Sequence, residues 1–217
     1  MNPDTQKLSD KAKRTADLKA LGPISFAELT AKINEHMIVS DPYIIKFITA
    51  LYITNRLTRN PVWAFLIGPS GGGKTAFLDG LLDMSDTFSI SSLTPNTFLS
   101  GMPGKGDCSL LPKLNNKIMM FKDWTTILSM NKEAKGEIMA QLREVYDGHM
   151  TKPFGNGRIG EWAGRVSLIA ATTEMVDMQQ QMYTSLGERF VNYHIRMPDR
   201  KTVALKALRN ARDQVNI

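Results

Sequence analysis

The stretch AFLIGPSGGGKTAFLDGLL, residues 64–82, constrains this chain more than any other. It runs from apolar, through three consecutive glycines, to a lysine and a threonine, and back to apolar. Gly68, Gly73, Lys74 and Thr75 match G-x-x-x-x-G-K-[ST], the signature of a phosphate-cradling loop. Glycines let the backbone turn tightly enough to aim several N–H groups at one anion. A helix beginning near Lys74 would add the positive end of its peptide dipoles. The flanks fit this reading. Residues 62–67 are a short apolar run entered at Pro61, and Phe77, Leu78, Leu81 and Leu82 recur at helical spacing. Gly68, Pro69, Ser70, Gly71, Gly72, Gly73, Lys74, Thr75 and Ala76 are therefore expected to hold a nucleoside triphosphate. Lys74 would reach the β- and γ-phosphates, and the Thr75 hydroxyl would ligand Mg²⁺.

Composition narrows the setting. The 217 residues, 42% hydrophobic and 22% charged, suffice for one sizeable α/β domain with a real core. No apolar run approaches the roughly 20 residues that span a bilayer, and no membrane partner is expected. The first 22 residues are polar and mixed in charge, unlike a secretory signal. The single cysteine, Cys108, rules out an internal disulfide framework and suits a reducing cytoplasm. A net charge of +6 permits a polyanionic partner without requiring one.

Periodicity gives the organisation. Residues 1–22 read as an arm, 23–200 as the core and 201–217 as a C-terminal helix. Within the core, Ser25 and Glu28 suggest a capping box opening a helix over 24–36. Pro42 opens a longer helix striped with Ile44, Ile45, Phe47, Ile48, Leu51 and Tyr52. One strand is expected near 88–91, then irregular chain to Asn116, then a buried strand over 117–121. A helix over 132–147 follows, ended by Gly148. Two further buried strands are expected over 165–173 and 189–197. Strands alternating with helices predict a mostly parallel sheet flanked by helices.

An acid at the end of a strand beside the P-loop strand commonly holds the Mg²⁺ of such sites. Asp123, directly after KIMMF, is the candidate. Thr172 and Thr173 close the next strand, where a hydroxyl can orient the attacking water. Arg189, in LGERF, stands directly before the last strand.

The sequences GPSGGGKT, KIMMFKDWTTIL, LREVYDG, SLIAATTE and LGERF, in that order, resemble the AAA+ ATPases. The resemblance covers residues 40 to 200. It is nearest to the core ATPase of phage and mobile-element replication proteins, which is related to the minichromosome-maintenance helicases. It implies ATP and Mg²⁺ as cofactors, with Lys74 and Thr75 on phosphate and metal. It implies that Asp123 is the Walker-B acid, that Thr173 (or Thr172) is sensor 1, and that Arg189 is an arginine finger. It further implies a homo-oligomer, usually a hexameric ring, acting on DNA as a helicase core or helicase loader with other replication proteins. A bacterial host cytoplasm would be its place if the chain is phage-encoded. Two departures stand out. Where the family carries two adjacent acids, this chain has Lys122-Asp123, so Asp123 works alone or Glu133 or Glu137 supplies the base, and hydrolysis could be slow. The single remaining helix at the C-terminus is also shorter than the usual helical lid. A nucleotide-switched assembly module with weak hydrolysis is the alternative. A P-loop small-molecule kinase lacks the arginine-rich lid it would need.

Between Gly148 and the sensor strand, MTKPFGNGRIGEWAGR carries Asn-Gly, a hairpin signal. In the helicase branch of the family a hairpin here projects into the pore. Lys152, Arg158 and Arg165 would then face DNA phosphates, with Phe154 and Trp162 available for stacking or bracing. The competing reading is a surface hairpin whose aromatics pack back on the domain. His149 has no metal-type spacing around it.

Overall fold

The structure, a computed structural model, describes residues 22–36, 39, 41–57, 60–81, 84–101, 109–178 and 189–196. The expected N-terminal arm up to residue 21, Cys108 and the C-terminal helix lie outside the described residues. The chain divides into two compact units, residues 46–195 and residues 1–45 with 196–217.

In the smaller unit, α1 (Phe26–His36) begins with the reciprocal cap that its sequence predicts. The Ser25 N–H donates to Glu28 Oε2 at 2.6 Å, and the Glu28 N–H donates to Ser25 Oγ at 3.2 Å. The next helix, α2 (Tyr43–Thr54), belongs to the larger unit from Lys46 on; it starts one residue after Pro42, with the Asp41 carboxylate accepting from the Tyr43 N–H at 3.1 Å.

The larger unit is built on five parallel strands: β1 (Trp63–Ile67), β2 (Thr87–Ile90), β3 (Lys117–Phe121), β6 (Val166–Thr172) and β7 (Phe190–His194). Their order across the sheet is β2-β3-β6-β1-β7. β4 (His149–Pro153) and β5 (Ile159–Ala163) form a separate antiparallel hairpin. Helices fill the connections: α3 (Lys74–Asp79), α4 (Leu111–Leu114), α5 (Thr125–Leu128), α6 (Lys132–Tyr146) and α7 (Met175–Met178). This is the expected P-loop α/β core, a parallel central sheet flanked by helices.

Every residue of β1 and β6 is buried, as continuous apolar strands with two strand neighbours must be. Trp63, Phe65, Phe121, Trp124 and Leu168 fill the core. The Phe65 and Phe190 rings stack at 4.0 Å, and Trp63 Nε1 donates to the Val166 carbonyl at 2.8 Å.

Two expectations need correction. Among the described residues β7, expected to be buried, is an edge strand with β1 as its one strand neighbour, and Val191, Asn192 and His194 are exposed. The chain expected to be irregular up to Asn116 contains α4, a single turn with Pro112 near its start. A four-residue helix is too short to set up a readable period.

Candidate functional site

Parallel strands end at one edge of a sheet, so residues that follow them in sequence gather there. The Lys74 loop follows β1, Asp123 follows β3, and Thr173 follows β6, which lies between those two strands. The register holds the three together. The Gly68 N–H donates to the Thr172 carbonyl at 3.2 Å, and the Trp124 N–H donates to the Ala171 carbonyl at 2.8 Å.

The P-loop has the backbone its glycines permit. Gly71 and Gly73 sit at φ of 75° and 76°, where a side chain would be strained. Among the described residues, no backbone carbonyl accepts from the N–H groups of Gly71, Gly73, Lys74 or Thr75. These donors stand at one concave turn, available to an anion. Lys74 is only 9% exposed. Its Nζ donates to the Gly68 and Pro69 carbonyls at 2.6 and 2.7 Å. Burial pushes the Lys74 ammonium below the usual lysine range, and the Asp123 and Glu174 carboxylates act in the opposite direction. Thr75 is exposed at the start of α3.

Asp123 is exposed, and its Oδ1 accepts from the Thr125 N–H at 2.9 Å and the Thr125 hydroxyl at 2.5 Å. This Asx turn starts α5 and fixes the carboxylate, leaving Oδ2 open to a cation. Thr173 Oγ1 is buried with no hydrogen-bond partner among the described residues. Thr172 is buried outright, its hydroxyl 3.4 Å from the Thr173 carbonyl, so Thr173 is the better placed of the two. Thr173 follows the strand that lies between those leading to Lys74 and Asp123, and an orphaned buried hydroxyl there fits a bound polar ligand such as a phosphate–metal pair. Thr75 and Asp123 are the residues that would hold Mg²⁺; no larger cluster of acids, histidines or cysteines exists among the described residues.

Other candidates lie elsewhere. Lys122 turns to α3 and pairs with Asp79 at 2.7 Å. Glu133 heads α6, and Glu137 accepts from Gln141 Nε2 at 3.2 Å and lies 3.5 Å from Lys152 Nζ. Arg189 precedes β7 at the strand-starting end, since Phe190 pairs with Trp63 while the P-loop follows Ile67. Its Nη2 donates to both Asp147 oxygens at 3.1 and 3.2 Å, and its guanidinium lies 5.2 Å from the Tyr146 ring centre. It is therefore not brought to its own P-loop.

The hairpin holds two of its expected nucleic-acid contacts inward. Lys152 Nζ donates to the Pro95 carbonyl at 2.6 Å and Asn96 Oδ1 at 3.1 Å. The Phe154 ring packs over Gly101 and Gly160, where an added Cβ would lie 2.5 and 2.9 Å from it. Trp162 is buried, and Arg165 donates to the Asn55 and Thr54 carbonyls at the end of α2. Of Lys152, Phe154 and Arg158, only Arg158 is exposed. Phe154 and Trp162 both pack against the protein.

Sequence reasoning missed Glu174. It lines a cleft of about 560 Å³ beside the P-loop with Pro69, Thr173, Met175, Asp177 and His194. Its position directly after Thr173 was the available signal, but only the strand order brings it beside the phosphate loop.

No protein-family model matches the chain, and no curated protein matches it. Among solved structures it is similar to NtrX from Brucella abortus in complex with ADP, at 15% identity and a TM-score of 0.45, over 89% of this chain and 45% of that one. It is also similar to the S. cerevisiae Hsp104–ADP complex, at 15% identity and a TM-score of 0.49, over 91% of this chain and 41% of that one. The chain spans less than half the length of these proteins. Among the described residues, no helix is long and apolar enough to cross a membrane.

Proposed function

We propose that this chain is an ATP-binding, ATP-hydrolysing AAA+ core, comprising residues 23–200 and working with Mg²⁺ in a homo-oligomeric ring. One observation carries the reading: Lys74, Asp123 and the orphaned Thr173 hydroxyl gather at one edge of a parallel sheet, around a turn of unpaired backbone donors. Lys74 and the loop donors would bind the triphosphate, and Thr75 with Asp123 would hold the metal, which screens the developing phosphoryl charge. Thr173 would orient the attacking water.

Arg189 is proposed to act on a neighbouring subunit's nucleotide, since it lies at the sheet end away from its own P-loop. Guanidinium suits the task because it stays charged and presents a fixed fork of donors. The finer reading is a helicase core or helicase loader acting on DNA, with other replication proteins, in phage or mobile-element replication in a bacterial cytoplasm. Its support is the order of the motifs and a hairpin that enters the sensor strand with Arg158 exposed. A nucleotide-switched assembly module with weak turnover is the second reading. The Lys122–Asp79 pair favours it, because a cation occupies the place of a second acid.

The test is mixing. Arg189→Ala and Lys74→Ala subunits should each hydrolyse ATP at least about 10³-fold more slowly than wild type, the lower end of measured arginine-finger effects. Combined, they should recover part of the activity, because each supplies what its neighbour lacks. A mixture that stays inactive while both variants assemble overturns the shared site. ATPase rate and solution mass, with and without single-stranded DNA, separate motor from switch.

A further inference from the structure

We propose that Glu174 is the general base that takes the proton from the attacking water, a role for which the position beside Asp123 offers only Lys122. This rests on the P-loop reading above and adds the residue that reading lacks. β6 lies between β1 and β3, so the chain leaving β6 emerges between the phosphate loop and Asp123. Thr173 and Glu174 are the first residues out. One turn fixes them there: the Val176 N–H donates to the Thr173 carbonyl at 3.1 Å and the Asp177 N–H to the Glu174 carbonyl at 3.0 Å. Glu174 is exposed and lines the cleft that Pro69 of the phosphate loop also lines.

The other acids are occupied or distant. Asp123 Oδ1 accepts from the Thr125 N–H and hydroxyl, and Asp123 is already given the metal in the reading above. Asp177 sits 3.9 Å from His194. Glu137 faces Lys152 and Gln141, and Glu133 stands in the first turn of α6. Glu174 has no ion pair among the described residues.

In the step itself, the water oxygen forms a bond to the γ-phosphorus as the bond from that phosphorus to the β–γ bridging oxygen breaks. The electron pair of the broken bond leaves on ADP. The Glu174 carboxylate accepts the water proton and afterwards releases it to solvent or to the phosphate product. A general base is worth about 10²–10⁴ in rate.

Glu174→Gln keeps shape and polarity but cannot take a proton. MgATP affinity by equilibrium binding should stay at the wild-type value, while single-turnover hydrolysis falls by about 10²–10⁴-fold. The acidic limb of the pH–rate profile should disappear with it, which a merely structural residue would not cause. Glu174→Asp should keep that limb and recover part of the rate. Turnover of Glu174→Gln within about tenfold of wild type overturns the proposal, because that lies below the range for a general base. Loss of affinity equal to the loss of rate also overturns it, assigning Glu174 to binding. If either occurs while Lys74→Ala still fails to bind MgATP, the P-loop reading stands without Glu174. A wild-type chain that does not bind MgATP removes both.

Discussion

Lys74, at the first position of α3, and Lys152, in strand β4, are both largely buried, yet their surroundings differ. Lys152 is a closed account of hydrogen bonds: a backbone carbonyl at 2.6 Å, an amide oxygen at 3.1 Å and a carboxylate at 3.5 Å meet its three donors. It ties the hairpin to the loop around Pro95 and to α6. Lys74 donates to two carbonyls and has Asp123 and Glu174 only at longer range. Around it the loop presents N–H groups without backbone acceptors, and a threonine hydroxyl without a partner. A buried cation whose surroundings supply further donors is arranged to receive an anion. One whose surroundings supply acceptors is arranged to hold two segments together. Residue type and burial do not separate these cases; the inventory of neighbouring donors and acceptors does.

The largest test of this contrast exchanges the two lysines for alanine. Lys74→Ala should weaken MgATP binding by about a hundredfold or more, from the loss of charge-assisted bonds worth about 3 kcal/mol together. Lys152→Ala should leave that affinity unchanged and lower unfolding free energy by about 1–2 kcal/mol, read by urea titration. Equal effects of both variants on nucleotide affinity would dissolve the distinction.

A somewhat smaller effect probes the packing that turns the hairpin inward. Phe154→Ala removes a half-buried ring seated over Gly101 and Gly160. It should cost about 2 kcal/mol of stability while leaving MgATP affinity alone. If Phe154 instead stacks on bases, the variant keeps its stability and loses single-stranded DNA affinity, and the hairpin then belongs with the P-loop as a ligand-binding region.

The smallest effect belongs to Arg158, the exposed cation of the hairpin. Arg158→Ala should not change stability. If the hairpin touches DNA phosphate, the salt slope of DNA binding should fall by about 1 unit at most, since one counterion-releasing contact is lost. An unchanged slope and affinity would leave the hairpin with the bracing role alone.

The candidate site was partly legible before any fold was known. Lys74, Thr75, Asp123 and Thr173 announce themselves because each follows a strongly apolar strand, and parallel strands deliver their trailing residues to one edge. The cap of α1 was legible for a similar reason, since Ser25 and Glu28 interact across three residues. Orientation was less legible. The bare hairpin sequence offers Lys152, Phe154 and Arg158 alike, but Phe154 packs over the two glycines and Lys152 finds three oxygens. Apart from Gly160, those partners come from residues 95–101 and 137, far away in sequence.

The sequence by itself determined the glycine-rich loop, the main strands and the longer helices, because those choices depend on periodicity and glycine freedom within a few residues, while the four-residue helices left no readable period. Only the tertiary structure decided that β6 lies between β1 and β3, that β7 is an edge, and that Glu174 shares a cleft with the P-loop. Strand order is a long-range property. It follows from which apolar faces bury one another, and no local pattern in the chain records the neighbour a strand will have.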